Sequence, residues 1–85
     1  MANERILVVD DEEDLLELVR YNLDNYGYKV DTVISGEDAL EKIRSIPPNL
    51  ILLDLMLPGI DGLDVCRIVK NDSKDYFSSY ILFTL

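Results

Sequence analysis

Two uninterrupted aliphatic runs, Ile6-Leu7-Val8-Val9 and Leu50-Ile51-Leu52-Leu53, each stop at a carboxylate, Asp10 after the first and Asp54 after the second. A strand covered on one face alternates apolar with polar residues, so a run without alternation belongs to a strand covered on both. Such strands form the interior of parallel α/β sheets, where ligands bind beside the carboxyl ends of the strands. A chain of 85 residues has room for one such core and not for two. A single domain, residues 1–85, is therefore expected, with a radius of gyration near ~12 Å.

The segments between and after these runs carry helical spacing. Leu15, Leu16, Val19, Leu23 and Tyr26 recur at the period of a helix, with acidic residues gathered at its start and Gly27 as its stop. Tyr28 to Ile34 is rich in β-branched residues and less apolar, as in a strand at a sheet edge. Ser35 can cap a second helix with Asp38 at the capping-box position, and its stripe of Ala39, Leu40, Ile43 and Ile46 ends at Pro47-Pro48. After the second aliphatic run, Pro58-Gly59 and Asp61-Gly62 make a turn-rich loop. Asp61 or Gly62 opens a third helix with an inner face of Leu63, Cys66 and Val69 and margins at Val65 and Ile68. Asn71 to Ser79 reads as a loop, and Tyr80 to Leu85 as a fourth strand. Strands alternating with helices call for a parallel sheet joined by right-handed crossovers, with the first helix on one face and the second and third on the other.

Composition closes off several function classes. Seventeen Asp and Glu against eight Lys and Arg leave a net charge of −9, which opposes binding to nucleic acid or an anionic membrane surface. Cys66 is the only cysteine, so no internal disulfide is available, and it reads as a small core residue without a redox role. With no histidine in the chain, zinc and copper sites of the usual kind are not expected. No cationic and apolar leader opens the chain and no apolar run is long enough to span a bilayer, which points to a cytoplasmic setting.

The remaining chemistry lies at the strand ends. If the strands leading to Asp10 and Asp54 are neighbours, about 4.8 Å apart, their carboxylates share one crevice. Two such charges ~5 Å apart repel by roughly 3 kcal/mol at an effective dielectric near 20, so the cluster calls for a cation. A small set of hard oxygen ligands suits Mg²⁺. Acidic residues from Asp10 to Asp14 also suit the solvated start of a helix, and alone they carry little weight. Asp54 carries more, because an ionised carboxylate directly after four large aliphatic residues must be paired, coordinated or lifted into a cleft.

Asp10-Asp11 after an aliphatic strand, Ser35-Gly36 opening the second helix, Asp54-Leu55-Met56-Leu57-Pro58-Gly59-Ile60-Asp61-Gly62, and Thr84 after an aliphatic fourth strand together resemble the receiver domain of bacterial two-component response regulators. The resemblance runs from residue 5 to 85 and is most specific from Asp54 to Gly62. It implies a flavodoxin-like α/β fold, a parallel sheet with helices on both faces, in the order 2-1-3-4 and truncated after the fourth strand. It further implies that Asp54 accepts a phosphoryl group from a sensor histidine kinase, and that Asp10, Asp11, Asp54 and the backbone carbonyl of Met56 hold Mg²⁺. Thr84 would hydrogen-bond the phosphoryl group. The protein would be a phosphoacceptor and not an enzyme, with only its own phosphorylation and dephosphorylation as chemistry.

The family's domain continues through a further helix, a fifth strand ending in a lysine, and a last helix. Neither Lys70 nor Lys74 stands where that lysine falls, Leu85 stands where the family prefers a small residue, and Ser79 where it often has proline. Four strands span about 19 Å, whereas one helix is about 10 to 12 Å across, so the first helix would cover roughly half its face. The uncovered face and the apolar edge of the fourth strand predict self-association. The competing reading is a degenerate receiver that serves only as a dimerisation or interaction module. A phosphatase of the haloacid-dehalogenase type, which needs two aspartates one residue apart after the first strand, ranks last because Asp10-Asp11-Glu12 lacks that spacing.

Overall fold

The computed structural model describes residues 4–72 and 80–84. The elements alternate as expected: β1 (Arg5–Val9), α1 (Glu13–Asn25), β2 (Lys29–Val33), α2 (Gly36–Ser45), β3 (Leu50–Asp54), α3 (Gly62–Asp72) and β4 (Tyr80–Thr84). All strand pairs are parallel, the sheet order is β2-β1-β3-β4, and the radius of gyration is 12.0 Å. The parallel α/β sheet expected from the alternation of strands and helices, and the order 2-1-3-4 implied by the resemblance, are those observed. The expected loop from Asn71 begins inside α3, which continues to Asp72, while positions 73–79 and Leu85 lie outside the described residues.

Alternation along β1 and β3 divides their side chains between two cores. Leu7, Val9, Ile51 and Leu53 pack with Ala39, Leu40 and Ile43 of α2 and with Val65 and Val69 of α3. Ile6 and Val8 pack with Leu16 of α1 and Val30 of β2, with Val19, Leu23, Leu50 and Leu52 partly buried around them. Both aliphatic runs are therefore two-sided, which is why they show no polar alternation. β2 is an edge strand with one buried residue, Val30. Its Asp31 carboxylate meets the Arg5 guanidinium at 2.9 Å.

Helix boundaries follow local chemistry. Ser35 Oγ accepts the backbone N–H of Asp38 at 3.1 Å, as its capping position requires. α1 ends at Asn25 with Tyr26 as its C-cap, and Gly27 follows with φ of 93°, a left-handed conformation that costs glycine little. Asp61 caps α3, its Oδ1 accepting the N–H of Asp64 at 3.0 Å, so Gly62 is the first residue of that helix.

Three helix faces differ from their expected phase. In α3 the buried stripe is Gly62, Val65 and Val69, while Leu63 is 55% exposed and Cys66 is only partly covered. Five apolar residues between 63 and 69 allow two stripes, and the seating of Gly62 on the end of β3 selects the one through Val65. In α1 only Leu16 is fully buried; Leu15 and Tyr26 are exposed because one helix over a twisted sheet buries a narrow stripe. Ile46 is the C-cap of α2, already turned from the helical path, and is likewise exposed.

Candidate functional site

The parallel register sets Val9 beside Leu53, so the next residues, Asp10 and Asp54, stand at the same level on adjacent strands. Asp10, Asp11 and Asp54 each offer a carboxylate oxygen, and those oxygens all lie within 4.8 Å of one another. Asp10 and Asp54 are buried, at 6% and 8% exposure, and Asp11 is exposed. The cluster is thus a pair of shielded carboxylates with one reaching solvent.

Each buried carboxylate is oriented by its own chain. Asp10 Oδ1 accepts the N–H of Glu12 at 2.9 Å, and Asp54 Oδ1 accepts the N–H of Met56 at 3.0 Å. The same two-residue turn therefore closes the end of both central strands, as Asp side chains do when they bond the backbone two residues on. These bonds satisfy part of each carboxylate's acceptor capacity and leave the rest for a ligand.

An all-oxygen donor set of three carboxylates fits Mg²⁺, which takes one or a few carboxylates and fills its remaining positions with water or phosphate oxygens. Asp10, Asp11 and Asp54 would hold it. Met56 is placed two residues beyond Asp54, with its side chain 78% exposed and its N–H committed to Asp54. Thr84 stands opposite Asp54 in the β3–β4 register.

The β3–α3 loop turns at Gly59, where φ of 74° favours glycine. Leu57 anchors that loop by burying its side chain in the α2/α3 core. Two close approaches in this region, at Gly36 and Gly62, were not visible in the sequence. The sequence pattern marks Gly59 as a turn residue and Gly62 as a turn residue or the start of the third helix, but no local signal joins Gly36 to Ile60 or Gly62 to Asp54.

A shielded acidic cluster at the carboxyl ends of adjacent parallel strands defines the class: an α/β domain whose strand ends can hold a hard cation. Residues 6–84 match the model of the family described as the response regulator receiver domain. The chain belongs to that family, and is a phosphoacceptor receiver domain of a two-component system. It is 52% identical over 68 residues to the alkaline phosphatase synthesis transcriptional regulatory protein PhoP of Bacillus subtilis, covering 80% of this chain and 28% of that protein. It is 46% identical over 70 residues to the DNA-binding response regulator MtrA of Mycolicibacterium smegmatis, covering 82% of this chain and 31% of that protein. The chain thus spans about three-tenths of the length of these relatives. Among solved structures, a chain in the complex of histidine kinase ThkA with response regulator protein TrrA superposes with a TM-score of 0.83 at 41% identity, covering 94% of this chain and 66% of the other. The N-terminal domain of a response regulator receiver protein from Methanoculleus marisnigri JR1 gives 0.79 at 37% identity, covering 82% and 57%.

Proposed function

We propose that Asp54 is the phosphoacceptor, that Asp10, Asp11, Asp54 and the Met56 carbonyl hold the ion, and that Thr84 hydrogen-bonds the phosphoryl group. The observation that carries this reading is the convergence of three carboxylates within 4.8 Å at the ends of adjacent strands. In the transfer an Asp54 carboxylate oxygen attacks phosphorus in line; the O–P bond forms as the N–P bond of the kinase phosphohistidine breaks, and the imidazole leaves with its electron pair. Mg²⁺, when bound, neutralises charge on the transferring group. The Met56 N–H holds one carboxylate oxygen by its hydrogen bond, which orients the other for attack.

The proposed partner is a sensor histidine kinase, in keeping with the structural match to a chain of a kinase–regulator complex. The proposed domain is a receiver unit over residues 1–85 that works in the cytoplasm. Among the described residues, no helix is long and apolar enough to cross a membrane. For this 85-residue chain we also propose self-association, because β4 ends the strand order and Leu50 and Leu52 are partly exposed on the α1 face. Sedimentation as a compact monomer at micromolar concentration would refute that association.

The test of the acceptor is incubation with Mg²⁺ and a small phosphodonor, read by intact mass. One phosphoryl adduct is expected, absent in Asp54→Asn and without added metal. An unmodified wild-type mass, together with no change of amide spectrum on adding Mg²⁺ and beryllofluoride, would favour the interaction module without phosphorylation.

A further inference from the structure

Two of the chain's four glycines occupy contacts where no side chain fits, and those contacts clamp opposite ends of the β3–α3 loop. A methyl group on Gly62 would lie 2.5 Å from the carbonyl oxygen of Asp54, 3.0 Å from Leu55 Cα and 3.2 Å from the Asp54 carbonyl carbon. A methyl group on Gly36 would lie 2.5 Å from the carbonyl oxygen of Ile60 and 2.9 Å from Val65 Cγ2. Both glycines are buried. The nearest atom in each clash is a backbone oxygen, which cannot rotate aside as a side chain can; at Gly36 the Val65 side chain adds to it. They differ in what they displace: the Gly62 clash falls on the residue that carries the carboxylate, and the Gly36 clash on the far end of the loop.

From Asp54 to Met56 the chain is closed by the hydrogen bond between the Met56 N–H and Asp54 Oδ1, 3.0 Å long. Moving the Asp54 carbonyl or Leu55 Cα changes both the angle at which the carboxylate leaves β3 and the reach of that bond. Groups that orient a metal ligand in this way are commonly worth 10- to 100-fold in affinity. We propose that Gly62 is a positioning residue of the acidic site: the first residue of α3 sits directly on the Asp54 backbone and so sets that carboxylate toward Asp10 and Asp11. In its metal readout the proposal rests on the Mg²⁺ site proposed above; in its hydrogen-bond readout it does not.

The experiment compares Gly62→Ala with Gly36→Ala in the full 85-residue chain, two variants that place the same methyl group at the same distance from a backbone oxygen. Mg²⁺ affinity is measured by calorimetric titration, the Met56 amide by its nitrogen–proton shift and hydrogen exchange without metal, and stability by urea unfolding. Gly62→Ala is expected to weaken Mg²⁺ binding about tenfold or more and to lose the Met56 amide's protection, while Gly36→Ala, although destabilised, keeps its affinity within about twofold. Equal losses of affinity in both variants, or an unchanged Met56 amide in Gly62→Ala, would overturn the proposal and leave the metal site standing. Absence of Mg²⁺ binding by the wild type, with the Met56 amide still lost only in Gly62→Ala, would overturn the metal reading and sustain the positioning role. Gly62→Ala is also read in trimethylamine N-oxide, which favours compact states; a variant unfolded even there overturns the proposal, because positioning requires a folded chain with a displaced site.

Discussion

Among the described residues, ten buried side chains close into one cluster on the face of the sheet that carries α2 and α3, whereas the face that carries α1 has four, Ile6, Val8, Leu16 and Val30. Both faces are lined by the same two aliphatic runs, so strand composition does not explain the difference. Helix number does: two helices meet over β1 and β3 on one side, and a single helix serves the other. Continuing the alternation along each strand places Asp10 with Ile6 and Val8, and Asp54 with Leu50 and Leu52, on the α1 side. Cohesion is concentrated on one side of the sheet and the carboxylates fall on the parity of the other, where fewer side chains compete for the space at the strand ends.

Substitutions can break this contrast, and the largest effect belongs to the deeper core. Leu53→Ala removes a side chain with no exposed surface and should cost about 4 kcal/mol in urea unfolding; a loss below about 2 kcal/mol would mean that the α2/α3 face collapses around the void. Mg²⁺ at about a hundredfold above its Kd should add about 2.7 kcal/mol to the same measurement, a gain that Asp54→Asn abolishes. Leu16→Ala, which empties the only buried position of α1, should cost about 2 kcal/mol, near the low end for buried leucines. A cost equal to that of Leu53→Ala would erase the distinction between the faces.

Capping sharpens the comparison at a smaller scale. The α2 cap, Ser35, accepts the Asp38 N–H, whereas Glu12 caps α1 with no side-chain hydrogen bond. Ser35→Ala should therefore lower the thermal midpoint by an amount equivalent to about 1 kcal/mol. Glu12→Ser should raise stability by about 0.5 kcal/mol, measured without metal because Glu12 donates its N–H to Asp10.

Much of this arrangement is legible in the sequence. The aliphatic runs announced central strands because burial on both faces removes polar alternation, and a carboxylate ending each run marked the site. Ser35 and Gly27 punctuate helices by strictly local chemistry, and both act as expected. What escaped reading was non-local. The apolar residues of α3 admit two stripes, and the choice of Val65 over Leu63 and Cys66 depends on Gly62 meeting the backbone of Asp54. The burial of Leu57, in a loop that reads as turn residues, likewise depends on a core assembled from other segments.

The pairing of β1 directly with β3 has a consequence for how the molecule matures. Asp10 and Asp54 come from distant stretches of polypeptide and meet only when those two strands are docked in register. No local fragment, and no intermediate with β3 undocked, possesses the cluster. A divalent cation therefore finds its full ligand set only in the finished topology, and by mass action it draws the population toward that topology. On the acceptor role proposed for Asp54, competence to be phosphorylated would wait on the same event, the longest-range strand pairing of the sheet.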